Sequence, residues 1–238
     1  MNTVQQDFQT RSAEIENYFR FIEALTDGTA ALNAAGGTSP AMTQEDFESL
    51  VKTLKANGFI LLYNLIESTM KNAIEAIFDE FRTQGVSFDA CREEVRQIVI
   101  SNLKSHNPDK IFFSLNPIAE KVLTETFRKE KAFAGNVDAA KIRAVAAEYG
   151  FQNPRAKGDN LLTVKTNRND LAHGDKAFAD VGRDYDVARL ITIKSEVMVY
   201  LGEVLQNVGA YLASRSYLAT PPSSSAVSSP LTPVGARP

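Results

Sequence analysis

Between residues 44 and 82 apolar side chains return at helical intervals: Phe47, Leu50, Val51, Leu54, Leu61, Leu62, Leu65, Ile66, Ile77, Phe78 and Phe81. A periodicity near 3.6 sustained over that length dictates a long helix with an apolar face. The same period recurs along most of the chain, whereas strand-like alternation bounded by turns does not, so the fold class predicted is all-α. A chain of 238 residues can bury a full core as one domain. Its 44% hydrophobic and 23% charged residues are those of an ordinary globular protein.

The remaining elements follow from the same reading. A first helix is expected over residues 4–25, with Phe8, Ile15, Phe19, Ile22 and Leu25 as its stripe and Asp27-Gly28 as its stop. Residues 29–41, rich in Ala, Gly and Ser and containing Pro40, read as a flexible loop. Thr43-Gln-Glu-Asp46 resembles a capping box for the long helix, which Gly58 is placed to divide or bend. Shorter helices are expected over 89–104, 117–131 and 137–149, the last opened by Asn136 and closed by Gly150. Residues 107–117 read as a loop with an apolar plug. Helices over 159–174 and 185–213 complete a domain of residues 1–213, within which 88–150 looks like a helical insertion. Residues 214–238 hold five of the nine prolines and seven serines, the composition of a disordered tail.

A net charge of −3 argues against a bulk electrostatic grip on nucleic acid, so any polyanion contact must come from a local basic patch. The single cysteine, Cys91, rules out an internal disulfide or a Cys-based zinc site and reads as a small helix residue in a reducing cytoplasm. His106 lies in a Ser-His-Asn-Pro turn and reads as a loop residue; a zinc site needs more His or Cys than the chain contains. No metal and no cofactor are expected. The N-terminal residues lack a basic region followed by an apolar stretch, and no run of about 18 apolar residues occurs. The expectation is a cytoplasmic protein without a membrane span.

The segment from Asn160 to His173 departs from simple patterning. At about 100° per residue, Leu161, Val164, Leu171 and Ala172 share a face from whose centre Arg168 projects. A charge there is costly unless it is paired. His173 falls in the last turn before Gly174, where the helix dipole favours an imidazolium and suits the ring to proton transfer. Asn169 and Asp170 are within reach to hold that ring, and Arg168 offers a planar fork for phosphate. This inventory is sufficient for metal-independent cleavage of RNA, in which a 2′-hydroxyl attacks the adjacent phosphorus while the arginine stabilises the charge that develops. One histidine cannot easily act as both base and acid, so a symmetric homodimer supplying two such helices suits the chemistry.

Arg168-Asn-Asp-Leu-Ala-His173-Gly174 resembles the signature of the HEPN superfamily (higher eukaryotes and prokaryotes nucleotide-binding), and the wider layout resembles its MAE-type nuclease branch. The long early helix with Leu61 to Lys71, the Gly158-Asp-Asn-Leu161 lead-in and the long closing helix carry that likeness, which spans residues 4–213. It implies a dimerising helical bundle that acts on RNA as a metal-independent endoribonuclease, often in toxin–antitoxin or antiviral defence and under an antitoxin or other regulatory protein. Arg168 and His173 match the family's catalytic pair, and Asn169 matches the polar residue that follows its arginine. The 88–149 stretch and the residues after Ala213 have no counterpart in the resemblance.

Bland readings stand beside these. An arginine, four residues and a histidine is an unspecific pattern. Arg168 also fits a buried structural ion pair, and His173 a helix-end residue. Glu67, one turn from Tyr63 and Lys71, is placed either to pair with Arg168 or to lie on a solvated face. Arg155, Lys157, Lys165 and Lys176 flank the motif as a modest phosphate-binding patch, or as ordinary surface. The alternatives to a ribonuclease are a non-catalytic RNA- or nucleotide-binding or scaffold protein of the same fold, and a purely structural helical adaptor.

Overall fold

A computed structural model describes residues 1–30, 43–104, 133 and 136–219. Among these are seven α-helices: α1 (Asn2–Thr26), α2 (Gln44–Thr83), α3 (Glu93–Lys104), α4 (Ala139–Tyr149), α5 (Asp159–His173), α6 (Phe178–Asp184) and α7 (Val187–Ala213). No strand occurs among the described residues, and the all-α class holds. The 117–131 helix, the 107–117 plug, His106, the loop beyond Ala30 and the tail beyond Ala219 lie outside the described residues.

Helix α2 is the axis of the bundle, with α1, α5, α6 and α7 all packed on it. The capping box is present: the Thr43 hydroxyl accepts from the Asp46 N–H, and the Asp46 carboxylate accepts from the Thr43 N–H. Over its first three turns no side chain is fully buried. From Ala56 onward Phe59, Leu62, Tyr63, Leu65, Ile66, Met70, Ala73, Ile74, Ile77, Phe78 and Phe81 are, as befits a helix surrounded by others. Gly58 does not divide α2. A Cβ there would lie 3.0 Å from Phe19 Cζ, so this glycine admits the α1 ring to the α2 backbone. Tyr18 donates to the Leu54 carbonyl and Asn72 to Asp7, so α1 runs antiparallel to α2.

Several boundaries differ from expectation, each for a local reason. Asp138, not Asn136, caps α4, because its carboxylate accepts from Lys141 N–H. The expected 89–104 helix is a short 3-10 turn, Phe88–Ala90, followed by α3. Cys91 therefore lies between helices, where it forms an isolated antiparallel bridge with Leu218. Helix α6 was not foreseen: seven residues carry too little periodicity, and its Gly182 reads as a breaker. That glycine permits contact with α2, since a Cβ on it would lie 1.9 Å from the Lys52 carbonyl oxygen.

The described residues of the 88–150 region pack on the bundle. Its Val95, Val99, Ile142, Val145 and Ala146 belong to the same core as α2. The domain does not end at Ala213: Tyr217 is buried against Phe81 and Tyr211. Ala219 N–H donates to the Ala90 carbonyl and Arg92 N–H to that of Tyr217. These bonds and the buried ring tie residues 214–219 to the helical core. Among the described residues no helix is long and apolar enough to cross a membrane.

Candidate functional site

Helix α5 is held at its start by a polar knot. Both the backbone N–H and the side-chain amide nitrogen of Asn160 donate to Glu196 on α7, and Arg189 donates to Asn160 Oδ1. Two turns on, Asn167 donates to the Thr163 carbonyl and to the Tyr185 hydroxyl. The buried face is thus Asn160, Leu161, Val164, Asn167 and Leu171. Arg168 stands at its flank rather than its centre, and Ala172 is exposed. Apolar patterning misjudged the centre because Asn160 and Asn167, read as polar, are buried with their hydrogen bonds satisfied.

The flank position gives Arg168 a definite setting. Its guanidinium carbon lies 4.1 Å from the centroid of the fully buried Tyr63 ring. Nη1 donates to Asn169 Oδ1 at 2.9 Å. Nη2 is 4.0 Å from Glu67 Oε2, an ion pair too long for a hydrogen bond. A cation over a desolvated aromatic face gains about 2 kcal/mol, which offsets part of the cost of its burial. The Arg168 side chain keeps 25% of its surface exposed.

Three consecutive residues ahead of α4 reach this place. Asn136 accepts from the Asn169 amide, Val137 N–H donates to the Tyr63 hydroxyl, and Asp138 takes Lys165 in an ion pair. Burial of Asp138 disfavours its charge, but the hydrogen bonds from Lys165 and from Lys141 N–H outweigh it and hold the carboxyl below its ordinary range. Sequence reasoning assigned no site role to Tyr63, Asn136 or Asp138. The one available hint was that Tyr63 lies one turn before Glu67.

His173 is the last residue of α5 and is exposed. Gly174 follows with φ of 77°, a left-handed cap suited to glycine. Neither Asn169 nor Asp170 holds the imidazole, contrary to expectation. Asn169 is engaged with Arg168 and Asn136, while Asp170 pairs with Lys176 at 2.8 Å. The Asp170 hydrogen bond draws the Lys176 ammonium upward from its ordinary value. The basic patch is partly neutralised, since Lys165 and Lys176 each have an acid partner. Arg155 and Lys157 remain exposed, the former offering its backbone N–H to Glu203. Glu67 gives its short contact to Lys71. Among the described residues no three His, Cys, Asp or Glu side chains gather as a metal site would require.

An all-α bundle in which one helix carries arginine and, five residues later, a terminal histidine is what the resemblance to the HEPN superfamily implies. A model of the MAE_28990-like HEPN family matches residues 1–217, and the chain belongs to that family. The match runs through the 88–150 region and closes at Tyr217, whose ring completes the core. No curated protein and no solved structure gave a match.

Proposed function

We propose that this protein is a metal-independent endoribonuclease. The reading rests above all on Arg168: a cation with one face desolvated on Tyr63, one N–H engaged by Asn169, and its other donors uncommitted among the described residues. A guanidinium has five N–H donors in one plane, so an edge remains for phosphate oxygens. His173 follows about 7.5 Å further along the helix axis, at the rise expected for five residues, and is open to solvent.

In the proposed reaction a base removes the proton from a ribose 2′-oxygen, which bonds to the neighbouring phosphorus. The bond from phosphorus to the 5′-oxygen breaks, the leaving oxygen takes a proton, and a 2′,3′-cyclic phosphate remains. Arg168 stabilises the charge on the non-bridging oxygens, and His173 moves the proton. A second copy of the chain supplies the second histidine across a two-fold axis. A defence or toxin–antitoxin setting, with an antitoxin or other regulator, suits such an activity.

One observation favours a second reading. Among the described residues no side chain orients the His173 ring, as would also be so if the site bound RNA or a nucleotide without cutting it. Incubating the protein with mixed RNAs, with and without EDTA, separates the two. Cleavage that persists in EDTA and leaves cyclic phosphate ends supports the nuclease. Retention of RNA without new ends supports the binding protein.

A further inference from the structure

We propose that Tyr63 is the positioning residue for Arg168, holding the guanidinium over its ring face so that the charge is partly desolvated but its free donors are not taken up by a carboxylate. The kinetic half of this proposal rests on the ribonuclease reading; the geometric half does not.

A guanidinium buried only for stability is matched by a carboxylate, commonly through two parallel hydrogen bonds. Here the one carboxylate within 4.0 Å among the described residues is Glu67, at 4.0 Å, and it makes its 2.6 Å contact to Lys71 instead. The partner that Arg168 does have is the face of a ring. Contact with the ring face holds the guanidinium in place without supplying an oxygen acceptor to its N–H groups, which lie in the guanidinium plane. The bond from Nη1 to Asn169 then adds a second, directional restraint. Ring contact and hydrogen bond together restrict where the remaining donors lie.

Tyr63 is itself immobilised. It is fully buried in α2, and its hydroxyl accepts the Val137 N–H at 3.1 Å. The neighbouring Asn136 takes the amide of Asn169, so one short segment braces both the ring beneath Arg168 and the side chain that adds the second restraint. A side chain held from two directions is preorganised for an anion, the condition under which electrostatic stabilisation of a transition state is strongest.

Two measurements on the full chain test this. Arginine side-chain NMR, assigned by the signal missing in Arg168→Ala, should show Arg168 shielded by the ring current in the wild type and in Tyr63→Phe, and unshielded in Tyr63→Leu. In RNA cleavage, Tyr63→Leu should lower kcat about 100-fold with KM within about twofold, as for a group displaced by about an ångström. Tyr63→Phe, which keeps the ring face, should stay within about threefold of wild type. An unshielded Arg168 in the wild type overturns the proposal, and because this needs no Tyr63 variant it holds even if Tyr63→Leu fails to fold. So does a folded Tyr63→Leu that cleaves at the wild-type rate, or a Tyr63→Phe that loses as much as Tyr63→Leu. Shielding in a wild-type protein that cuts no RNA removes the ribonuclease reading and leaves the positioning of Arg168 by Tyr63 standing.

Discussion

Glu67 makes its short contact with Lys71, at 2.6 Å, and stays 4.0 Å from Arg168. Lys71 lies one turn further along α2, so the pair is a helical i,i+4 ion pair that draws the carboxylate away from the guanidinium. Arg168 is thereby left without a hydrogen-bonded carboxylate among the described residues.

Removing Lys71 should reverse this. Lys71→Met frees Glu67 to approach Arg168, and RNA cleavage is expected to fall about tenfold, the effect of roughly one competing charge contact. Adding Glu67→Gln to that variant should restore the rate, and a double-mutant cycle on kcat/KM measures the coupling. Additive effects would show that Glu67 and Lys71 act independently.

His173→Ala alters an exposed helix-end side chain and should shift unfolding by no more than about 0.5 kcal/mol while lowering cleavage by about a thousandfold. Arg168→Ala should do the same to activity and cost about 1 kcal/mol through the lost ring contact. Arg168→Lys keeps the charge but lacks the planar fork, so it should rescue little activity. Circular dichroism melts beside a gel assay read both quantities.

Asp138 joins two structural tasks, the cap of α4 and the ion pair with Lys165. Asn remains a good cap, so Asp138→Asn isolates the ion pair and should cost about 1 to 2 kcal/mol near neutral pH. The folded-state value of this carboxyl is lowered. Its contribution is therefore complete above the ordinary carboxylate value of about 4 and is lost as pH falls below that through the lowered one. Urea titrations should show the gap between wild type and Asp138→Asn constant from pH 6 to 8 and closing in acid. A gap that widens in acid would contradict the assignment.

The Cys91 thiol is buried, and burial pushes its pKa up to about 11. At pH 8 that leaves about one thiol in a thousand ionised. Native protein should resist alkylation at that pH and react fully in denaturant. Rapid labelling without denaturant would mean that the Cys91–Leu218 bridge opens readily.

Gly182→Ala sets helix propensity against packing. Propensity alone favours alanine by about 1 kcal/mol, but the added carbon would meet the Lys52 carbonyl at 1.9 Å. A net loss of about 3 kcal/mol is expected, since backbone on backbone leaves nothing flexible to yield. Thermal unfolding decides the sign.

Much of the fold was legible because helices announce themselves locally. Thr43 with Asp46 marked the start of α2, Asp27 and Gly28 the end of α1, and the Ile15, Phe19, Ile22 and Leu25 stripe its buried face. What failed was local in another way. Helix α6 was too short to show a period, and Asn136 and Asp138 are both good caps, between which only the observed bond to Lys141 N–H chooses. Tyr217 lies in a segment rich in serine and proline, so its burial depended on a gap between Phe81 and Tyr211 that no local pattern reports.

The same division runs through the site. By itself the sequence determined the helical class, the helix that carries Arg168 and His173, and the position of His173 against its glycine cap, because each follows from backbone geometry over a few consecutive residues. Tertiary structure alone decided that Arg168 stands at the flank of the buried face, that the ring beneath it is Tyr63, and that Glu67 serves Lys71 first. Those outcomes depend on how α2, α5 and the 136–138 segment dock, and docking is set by packing among residues far apart in the chain, which periodicity does not encode.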